Sequence, residues 1–324
     1  MIINTNMKHL FLLLLTSLSA IVAYAQDHSL ASSDSSYLAD ESVCYVQRGD
    51  QALPLDIFYP SDNCARHKCV VFIYGGAFLQ NNLRTGFTQK FCRRLADESG
   101  FVVVAIDYRL GLVGQKFTSK LAMVEPLQNA MYMAVEDCSE ALAYVLRHSV
   151  ELRVDPEKII LCGSSAGAMT ALQTDYEICN RTGHVSCLPE DFHPAGVVSF
   201  AGAVYSVEGK PKYKLHDPAP TMLLHGTDDK LVIYDKIAFF NKRLSGSNDL
   251  AKVFKKNHYP YQIIRFKDER HGVAARMMDN YEQMMWFVDI FIDQEKDYEM
   301  DGTWWDRSRK KSFIDEAVPS NVFK

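Results

Sequence analysis

The sequence has no stripe of lysine and arginine and no C-x-x-C pair, and each absence argues against a class of partner. Lysine and arginine total 35 against 40 aspartates and glutamates, so the formal net charge is only −5. A nucleic-acid surface needs clustered positive charge, and we therefore expect no nucleic-acid partner. None of the eight cysteines has the close pairing typical of a cysteine metal site, so we expect no metal.

No internal repeat or low-complexity linker divides the 324 residues, 48% of which are hydrophobic. Domains of the α/β class routinely exceed 200 residues, so one large core accounts for this length. We predict one catalytic domain over residues 26–297 and a tail over residues 298–324 that is packed on the domain or flexible. The tail contains Trp304-Trp305, for which we favour a strap on the body surface over a sugar platform.

The amino terminus has the pattern of a signal peptide. Lys8 precedes an apolar run over residues 10–22, and Ala23-Tyr24-Ala25 offers small residues for cleavage after Ala25. The alternative is a membrane anchor, but the run is short for a span and no cysteine follows Ala25 for lipidation. We therefore expect residues 1–25 to be removed, giving a secreted or periplasmic protein without a stable membrane anchor.

Export permits disulfides, although the sequence does not fix their connectivity. The spacing would allow Cys64 to bridge Cys69 and Cys179 to bridge Cys187 across two short loops. Cys162 lies in a predicted strand, and we expect it to be a buried free thiol.

Apolar runs of strand length alternate with helical patterns, which is typical of a mostly parallel sheet with helices on both faces. We predict strands over 55–59, 69–74, 102–107, 158–163, 196–200, 221–225 and 262–267, and helices over 88–99, 133–147, 165–174, 235–245 and 274–293. Residues 111–129 are long for a connecting loop, so we expect them to form a pocket wall. Residues 207–218 are short and polar, which leaves little material for a lid.

The most informative motif is Gly163-Ser164-Ser165-Ala166-Gly167, which lies between a predicted strand and a predicted helix. A serine at the apex of a strand-turn-helix needs small neighbours, because the turn is strained and tightly packed. The motif alone also occurs in turns without chemistry, but this context predicts a nucleophile at Ser165.

A nucleophilic serine needs a histidine base and a carboxylate to orient that histidine. His258 precedes the strand over 262–267, whereas His271 follows it and so lies at the carboxyl end, where open α/β sheets build their active sites. We predict His271 as the base. A solvated loop histidine is the alternative.

The acid follows the strand over 221–225, in His225-Gly226-Thr227-Asp228-Asp229. We choose Asp229, and Asp228 remains a competitor because strand placement cannot separate adjacent residues. His225 precedes the acid, so we expect it to brace the loop by hydrogen bonds. Asp268 could meet His271 locally, but we expect it to be a surface carboxylate.

Acyl transfer also needs backbone N–H donors for the oxyanion. The Tyr74-Gly75-Gly76-Ala77-Phe78 run ends a predicted strand, and its glycines let the backbone turn its amides towards a substrate. An ordinary strand-ending turn is the alternative. We predict the N–H groups of Gly76, Ala77 and Ala166 as the oxyanion donors.

These residues resemble the α/β-hydrolase carboxylesterases and lipases with an H-G-G-G type oxyanion loop, including bacterial acetyl and feruloyl esterases and hormone-sensitive-lipase-like esterases. The resemblance extends over residues 56–293. It rests on residues 74–78, 107–110, 163–167 and 225–229, and Asp137 and Asp155-Pro156 also match. In that family the acid is the fifth residue of the H-G-x-x-D block, which is Asp229 here, and the resemblance implies ester hydrolysis without a cofactor.

The chain departs from that family at three positions. Tyr74 replaces the histidine and Ala77 the last glycine of the oxyanion block, and Ser164 stands where many hormone-sensitive-lipase relatives have aspartate. With little material for a lid, we expect a small-molecule or polysaccharide-linked ester as substrate, with acetyl or feruloyl groups suggested by analogy. The alternatives are a serine peptidase of the same fold and a non-catalytic binding protein on this scaffold.

Overall fold

The computed structural model describes residues 38–62, 64–80, 86–116 and 121–308, without the side chains of residues 121–123. The predicted signal peptide, residues 1–25, lies outside the described residues.

Twelve strands are present in the described part of the chain: β1 (Glu41–Arg48), β2 (Gln51–Phe58), β3 (His67–Ile73), β4 (Val102–Ile106), β5 (Val154–Ser164), β6 (Gly196–Phe200), β7 (Ala203–Ser206), β8 (Thr221–Gly226), β9 (Lys236–Phe239), β10 (Lys242–Gly246), β11 (Tyr261–Phe266) and β12 (Glu299–Trp304). The α-helices there are α1 (Phe87–Ser99), α2 (Leu121–Arg147), α3 (Ala166–Asn180), α4 (Ser247–Asn257) and α5 (Tyr281–Phe287).

Nine of these strands form one sheet in the order β1-β2-β4-β3-β5-β6-β8-β11-β12. β2 is antiparallel to both β1 and β4, and the other neighbouring pairs are parallel. The strands β4, β6 and β8 are buried along their whole length. Such uninterrupted burial is typical of parallel strands covered on both faces, and it explains their continuous apolar sequence.

Each face of the sheet has its own core. On one face α2, α3 and α4 cover residues such as Val71, Leu161 and Leu223. On the other face α1 and α5 cover residues such as Phe72 and Cys162. This is the layered α/β arrangement expected from the alternating sequence pattern, and it brings the carboxyl ends of the parallel strands to one edge.

The prediction of a helix over residues 235–245 was wrong. These residues form the hairpin β9–β10, which pairs with β7 in a separate three-stranded sheet. The apolar spacing of Ile237 and Leu244 suits a helix or a hairpin. Tertiary contacts favour the hairpin, because β10 pairs with β7 and Arg243 forms a buried ion pair with Asp249.

The region predicted as one helix over residues 274–293 is also divided. It contains the 3₁₀ turns His271–Ala275 and Met278–Asn280, then α5, then the π-helical segment Val288–Asp293. The chain then continues into β12, which pairs in parallel with β11. The sheet thus includes Glu299–Trp304, which lie beyond residue 297, the predicted end of the catalytic domain.

All eight cysteines are free thiols in the structure, so the two loop disulfides considered from the spacing are absent. Cys69 is fully buried in β3 whereas Cys64 is exposed. Cys162 is a fully buried free thiol, as expected. Within the described residues, no helix combines the length and the apolar content that a bilayer span needs.

Candidate active site

Ser165 occupies a sharp turn between β5 and α3. Its φ of 54° and ψ of −118° are uncommon for a residue with a side chain, and its N–H donates to the carbonyl of Phe200 over 2.9 Å. A Cβ on Gly163 would lie 2.3 Å from the Gly167 carbonyl oxygen, and a Cβ on Gly167 would lie 2.0 Å from that of Ile73. The turn closes because both flanking residues are glycine, and it has the strand-turn-helix form of a nucleophile elbow.

The structure brings Ser165, His271 and Asp229 into one chain of hydrogen bonds. His271 Nε2 lies 2.8 Å from Ser165 Oγ, and His271 Nδ1 lies 2.7 Å from Asp229 Oδ2. Both distances are within hydrogen-bond range, so each of the three side chains has the hydrogen-bond partner that acyl transfer requires.

Backbone hydrogen bonds fix the two loops that meet here. The N–H of Thr227 donates to Phe266 over 3.0 Å, and the N–H of Asp228 donates to Glu269 over 2.8 Å. Gly226 permits this approach, since a Cβ there would lie 2.3 Å from the Arg270 carbonyl oxygen. The loop after β8 is thereby joined to the loop after β11, at the carboxyl ends of adjacent strands.

The buried Asp229 carboxylate is held by four donors. Its Oδ1 accepts the N–H groups of Leu231 and Val232, and its Oδ2 accepts from His271 and His225. Burial raises the pKa of Asp229, but the electrostatic interaction with His271 and the hydrogen bonds from both histidines outweigh burial and lower the pKa to about 2. Asp229 is therefore ionised at neutral pH.

The other sequence candidates lie elsewhere. Asp228 and Asp268 are exposed. His258 is exposed at the end of α4, where its Nδ1 lies 2.8 Å from Glu299. His225 is fully buried and contacts Asp229, as expected of a residue that braces the loop.

The predicted oxyanion loop packs directly against the serine turn. A Cβ on Gly75 would lie 2.9 Å from the Ser164 carbonyl oxygen and 3.4 Å from Ser165 Cβ. Gly76 has φ 131° and Ala77 has φ 57°, so the backbone reverses sharply here. Ala166 is the first residue of α3, where the N–H has no partner within the helix. Gly76 and Ala77 thus lie in a loop that packs against the serine turn, and Ala166 directly follows Ser165.

One contact at the site was missed from the sequence. Ser164 Oγ donates to the carbonyl of Ala274 over 2.8 Å, and Ala274 belongs to the same turn as His271. From the sequence, Ser164 was noted only as a departure from many hormone-sensitive-lipase relatives, which gave no indication of this contact. The contact joins the turn of Ser165 to the turn of His271.

A further block of the sequence resemblance forms a structural ion pair. Arg109 Nε lies 2.8 Å from Oδ2 of the fully buried Asp137, which also accepts from the Arg109 N–H and from Arg48. These contacts tie the segment after β4 to α2 and do not reach Ser165.

The chain is similar to known esterases in sequence and in fold. The family model described as BD-FAE matches residues 55–204. A probable isoprenylcysteine alpha-carbonyl methylesterase, ICMEL1, from Oryza sativa subsp. japonica is 33% identical over 143 residues, covering 43% of this chain and 29% of that protein. An acetyl esterase from Salmonella paratyphi B is 31% identical over 117 residues, covering 36% of this chain and 30% of that protein.

The solved structure of esterase B from Lactobacillus Rhamnosis (HN001) matches with a TM-score of 0.58 at 18% identity, covering 87% of this chain and 96% of that chain. The chain has the α/β-hydrolase fold, and its sequence matches are to esterases. The resemblance predicted from the sequence and the predicted fold are both confirmed. The aligned part of this α/β-hydrolase spans less than a third of the length of the curated relatives named here.

Proposed function

We propose that the protein is a secreted serine carboxylic ester hydrolase that acts on short-acyl or carbohydrate-linked esters, such as acetyl or feruloyl esters. The observation that supports this proposal most directly is the unbroken chain of hydrogen bonds from Ser165 through His271 to Asp229. The names of the sequence relatives, a methylesterase and an acetyl esterase, agree with ester hydrolysis.

In the first half of the reaction, Ser165 Oγ attacks the acyl carbon of the ester while His271 Nε2 accepts the hydroxyl proton. Before this transfer, Asp229 holds the neutral imidazole of His271 in the tautomer with a free Nε2. After it, the ionised Asp229 stabilises the resulting imidazolium. The N–H groups of Gly76, Ala77 and Ala166 donate to the carbonyl oxygen as it becomes negative; losing one such donor typically costs about 3 kcal/mol of transition-state stabilisation.

The tetrahedral intermediate then collapses. The bond between the acyl carbon and the alcohol oxygen breaks, and His271 returns its proton to the leaving alcohol. In the second half a water molecule gives one proton to His271 and attacks the acyl carbon. The bond between the acyl carbon and Ser165 Oγ then breaks, and His271 returns the proton to Oγ, which releases the carboxylic acid and restores Ser165. The residues present supply each proton transfer.

Short p-nitrophenyl esters and aminoacyl-p-nitroanilides separate ester hydrolysis from the two alternatives. We expect hydrolysis of the esters only, abolished in Ser165→Ala. Anilide hydrolysis that depends on Ser165 would instead favour a peptidase, and a folded protein that hydrolyses neither would favour a binding protein. Acetylated and feruloylated oligosaccharides, with mass spectrometry of the products, test the carbohydrate-linked substrate.

Secretion is tested separately from activity. The full chain is expressed in a bacterial host with an intact export pathway, and the amino terminus of the product is determined by mass spectrometry. We expect the mature protein to begin at Gln26 in the periplasm or medium, because Ala23-Tyr24-Ala25 fits a cleavage site. A cell-associated product that keeps residues 1–25 would contradict this proposal.

A further inference from the structure

An apolar groove lies between the hairpin β9–β10 and helices α2 and α3. Its wall consists almost wholly of apolar surface, contributed by Leu127, Met131, Met169, Tyr205, Ile237 and Phe239 among others. Val124, Leu127 and Gln128, from the region expected to form a pocket wall, do line it, although they belong to the first turns of α2 rather than to a loop.

One wall of the groove lies one helical turn from Ser165. The Met169 N–H donates to the Ser165 carbonyl over 2.9 Å, so Met169 lies one turn of α3, about 6 Å along the helix axis, from the serine. Tyr205 is fixed beside α3, because Gln173 bonds both its N–H and its carbonyl. The groove wall thus begins on the helix that starts at Ser165.

The hairpin that forms the outer wall is firmly held. Arg243 on β10 pairs with the buried Asp249 of α4, with Nε 2.8 Å from Oδ2. Tyr205 Oη on β7 donates to Gln128 Oε1 on α2 over 3.0 Å, which joins these two sides of the groove. The groove is therefore formed by fixed elements in the structure.

The groove and the histidine turn pack on opposite faces of the sheet. Met131, Met169 and Tyr205 belong to the core beneath α2 and α3. Val273, in the turn that begins at His271, belongs to the core on the other face. His271 protonates the leaving alcohol, so the alcohol lies on the His271 side of Ser165, and the groove lies on the opposite side, towards the acyl group.

We propose that this groove binds the acyl group of the substrate and that, among the short-acyl esters of the proposed function, it favours an apolar acyl group that extends along it, such as hexanoyl, over acetyl. This inference rests on the proposed esterase function. Each methylene group of the acyl chain that is buried against this wall should raise kcat/KM by about fourfold. An acetyl group is too short to extend along the groove.

Two adjacent phenylalanines at the hairpin tip provide a matched pair of variants. Phe239 lines the groove and is 49% exposed, whereas Phe240 is 90% exposed and does not line it. Phe239→Ala and Phe240→Ala therefore remove the same side chain from neighbouring positions, one inside the proposed acyl site and one outside it.

The test is the ratio of kcat/KM for p-nitrophenyl hexanoate to that for p-nitrophenyl acetate. We expect the wild type to prefer the hexanoate, Phe239→Ala to lower the ratio by about tenfold, and Phe240→Ala to leave it within about twofold of the wild type. Leu127→Trp, which fills the groove from the α2 side, should also lower the ratio. Circular dichroism checks the fold of each variant.

A folded Phe239→Ala and Leu127→Trp that keep the wild-type ratio would overturn the groove assignment while leaving the esterase proposal intact. If these two variants instead change kcat/KM only within a series of acetate esters with longer alcohols, the acyl assignment is overturned, because the groove would then hold the alcohol. Wild-type protein that hydrolyses neither p-nitrophenyl ester would instead contradict the proposed function itself.

Discussion

His225 donates a hydrogen bond from Nε2 to Oδ2 of Asp229 over 3.1 Å, and this is the same oxygen that accepts from His271. The Nε2 atom also lies 3.1 Å from the carbonyl of Val232, which can only accept, so Nε2 carries a proton. His225 thus helps to fix the carboxylate oxygen that orients His271.

Replacing His225 by leucine should therefore weaken both the fold and the reaction. The buried carboxylate loses one charged hydrogen bond, for which we expect a loss of about 1.5–3 kcal/mol in the free energy of unfolding and a fall of at least tenfold in kcat for p-nitrophenyl acetate. Denaturant unfolding and steady-state kinetics measure the two effects. Ser247→Ala removes only the hydroxyl 2.8 Å from His225 Nδ1 and should change both quantities less.

Asp229→Asn and Asp228→Asn form a second matched pair. The asparagine at position 229 disturbs the tautomer of His271, and kcat should fall by about 10⁴-fold, as for an amide in the same role in serine proteases. Asp228 is exposed, so its amide variant should keep kcat within about twofold. Steady-state kinetics with p-nitrophenyl acetate decides, and a larger loss in Asp228→Asn would reassign the acid.

Gly167→Ala tests the close packing at the start of α3. The added methyl group would lie 2.0 Å from the Ile73 carbonyl oxygen and 2.7 Å from that of Tyr74, so the helix must move away from β3. We expect a loss of about 3 kcal/mol or more, typical of a severe clash in the core, and little ester hydrolysis. Gly183→Ala meets no atom within 4 Å and should leave the melting temperature nearly unchanged.

The buried Asp175 should make stability depend on pH. Burial raises the pKa of Asp175 to about 7, despite contacts with Ala219 and Cys179 that lower it. In the unfolded chain this carboxyl ionises near pH 4, whereas in the folded chain it stays protonated up to about pH 7. The stabilisation is therefore fully present below pH 4 and is lost as the pH rises to about 7.

Asp175→Asn should remove this dependence. We expect the wild-type free energy of unfolding to fall by up to about 4 kcal/mol between pH 4 and pH 8 relative to the variant. Denaturant unfolding at several pH values measures the difference. Asp191→Asn, at an exposed position, serves as the control and should follow the wild type; parallel curves for wild type and Asp175→Asn would contradict the prediction.

The parallel sheet was predictable because its strands are buried on both faces and their sequences are continuously apolar. The β6 prediction over residues 196–200 matches Gly196–Phe200, and β8 differs by one residue at its end. The hairpin β9–β10 was not predictable, since its apolar spacing also suits a helix and its pairing with β7 depends on distant residues. β12 was missed for a related reason: it is a mostly exposed edge strand with a charged sequence.

The candidate site shows the same division. Ser165 was predicted from its motif between a strand and a helix, and His271 from the rule that the active site lies beyond the carboxyl ends of the strands. The same rule indicated the loop of Asp228 and Asp229, and the family resemblance supported Asp229. The hydrogen bond from Ser164 to Ala274 could not be anticipated, because it joins residues 110 positions apart through a turn with no sequence signature. The sequence indicated only the wall of the apolar groove that comes from residues 111–129, because the opposite wall is the unpredicted hairpin.

Covalent labelling of the serine tests the central claim most directly. The protein is treated with a diethyl aryl phosphate, which a nucleophilic serine attacks with loss of the phenol, and the labelled peptide is identified by mass spectrometry. We predict one diethylphosphoryl group on Ser165, formed in step with the loss of ester hydrolysis, absent in Ser165→Ala and formed far more slowly in His271→Ala. A folded, unlabelled wild-type protein, or a label on another residue that accompanies inactivation, would contradict the account.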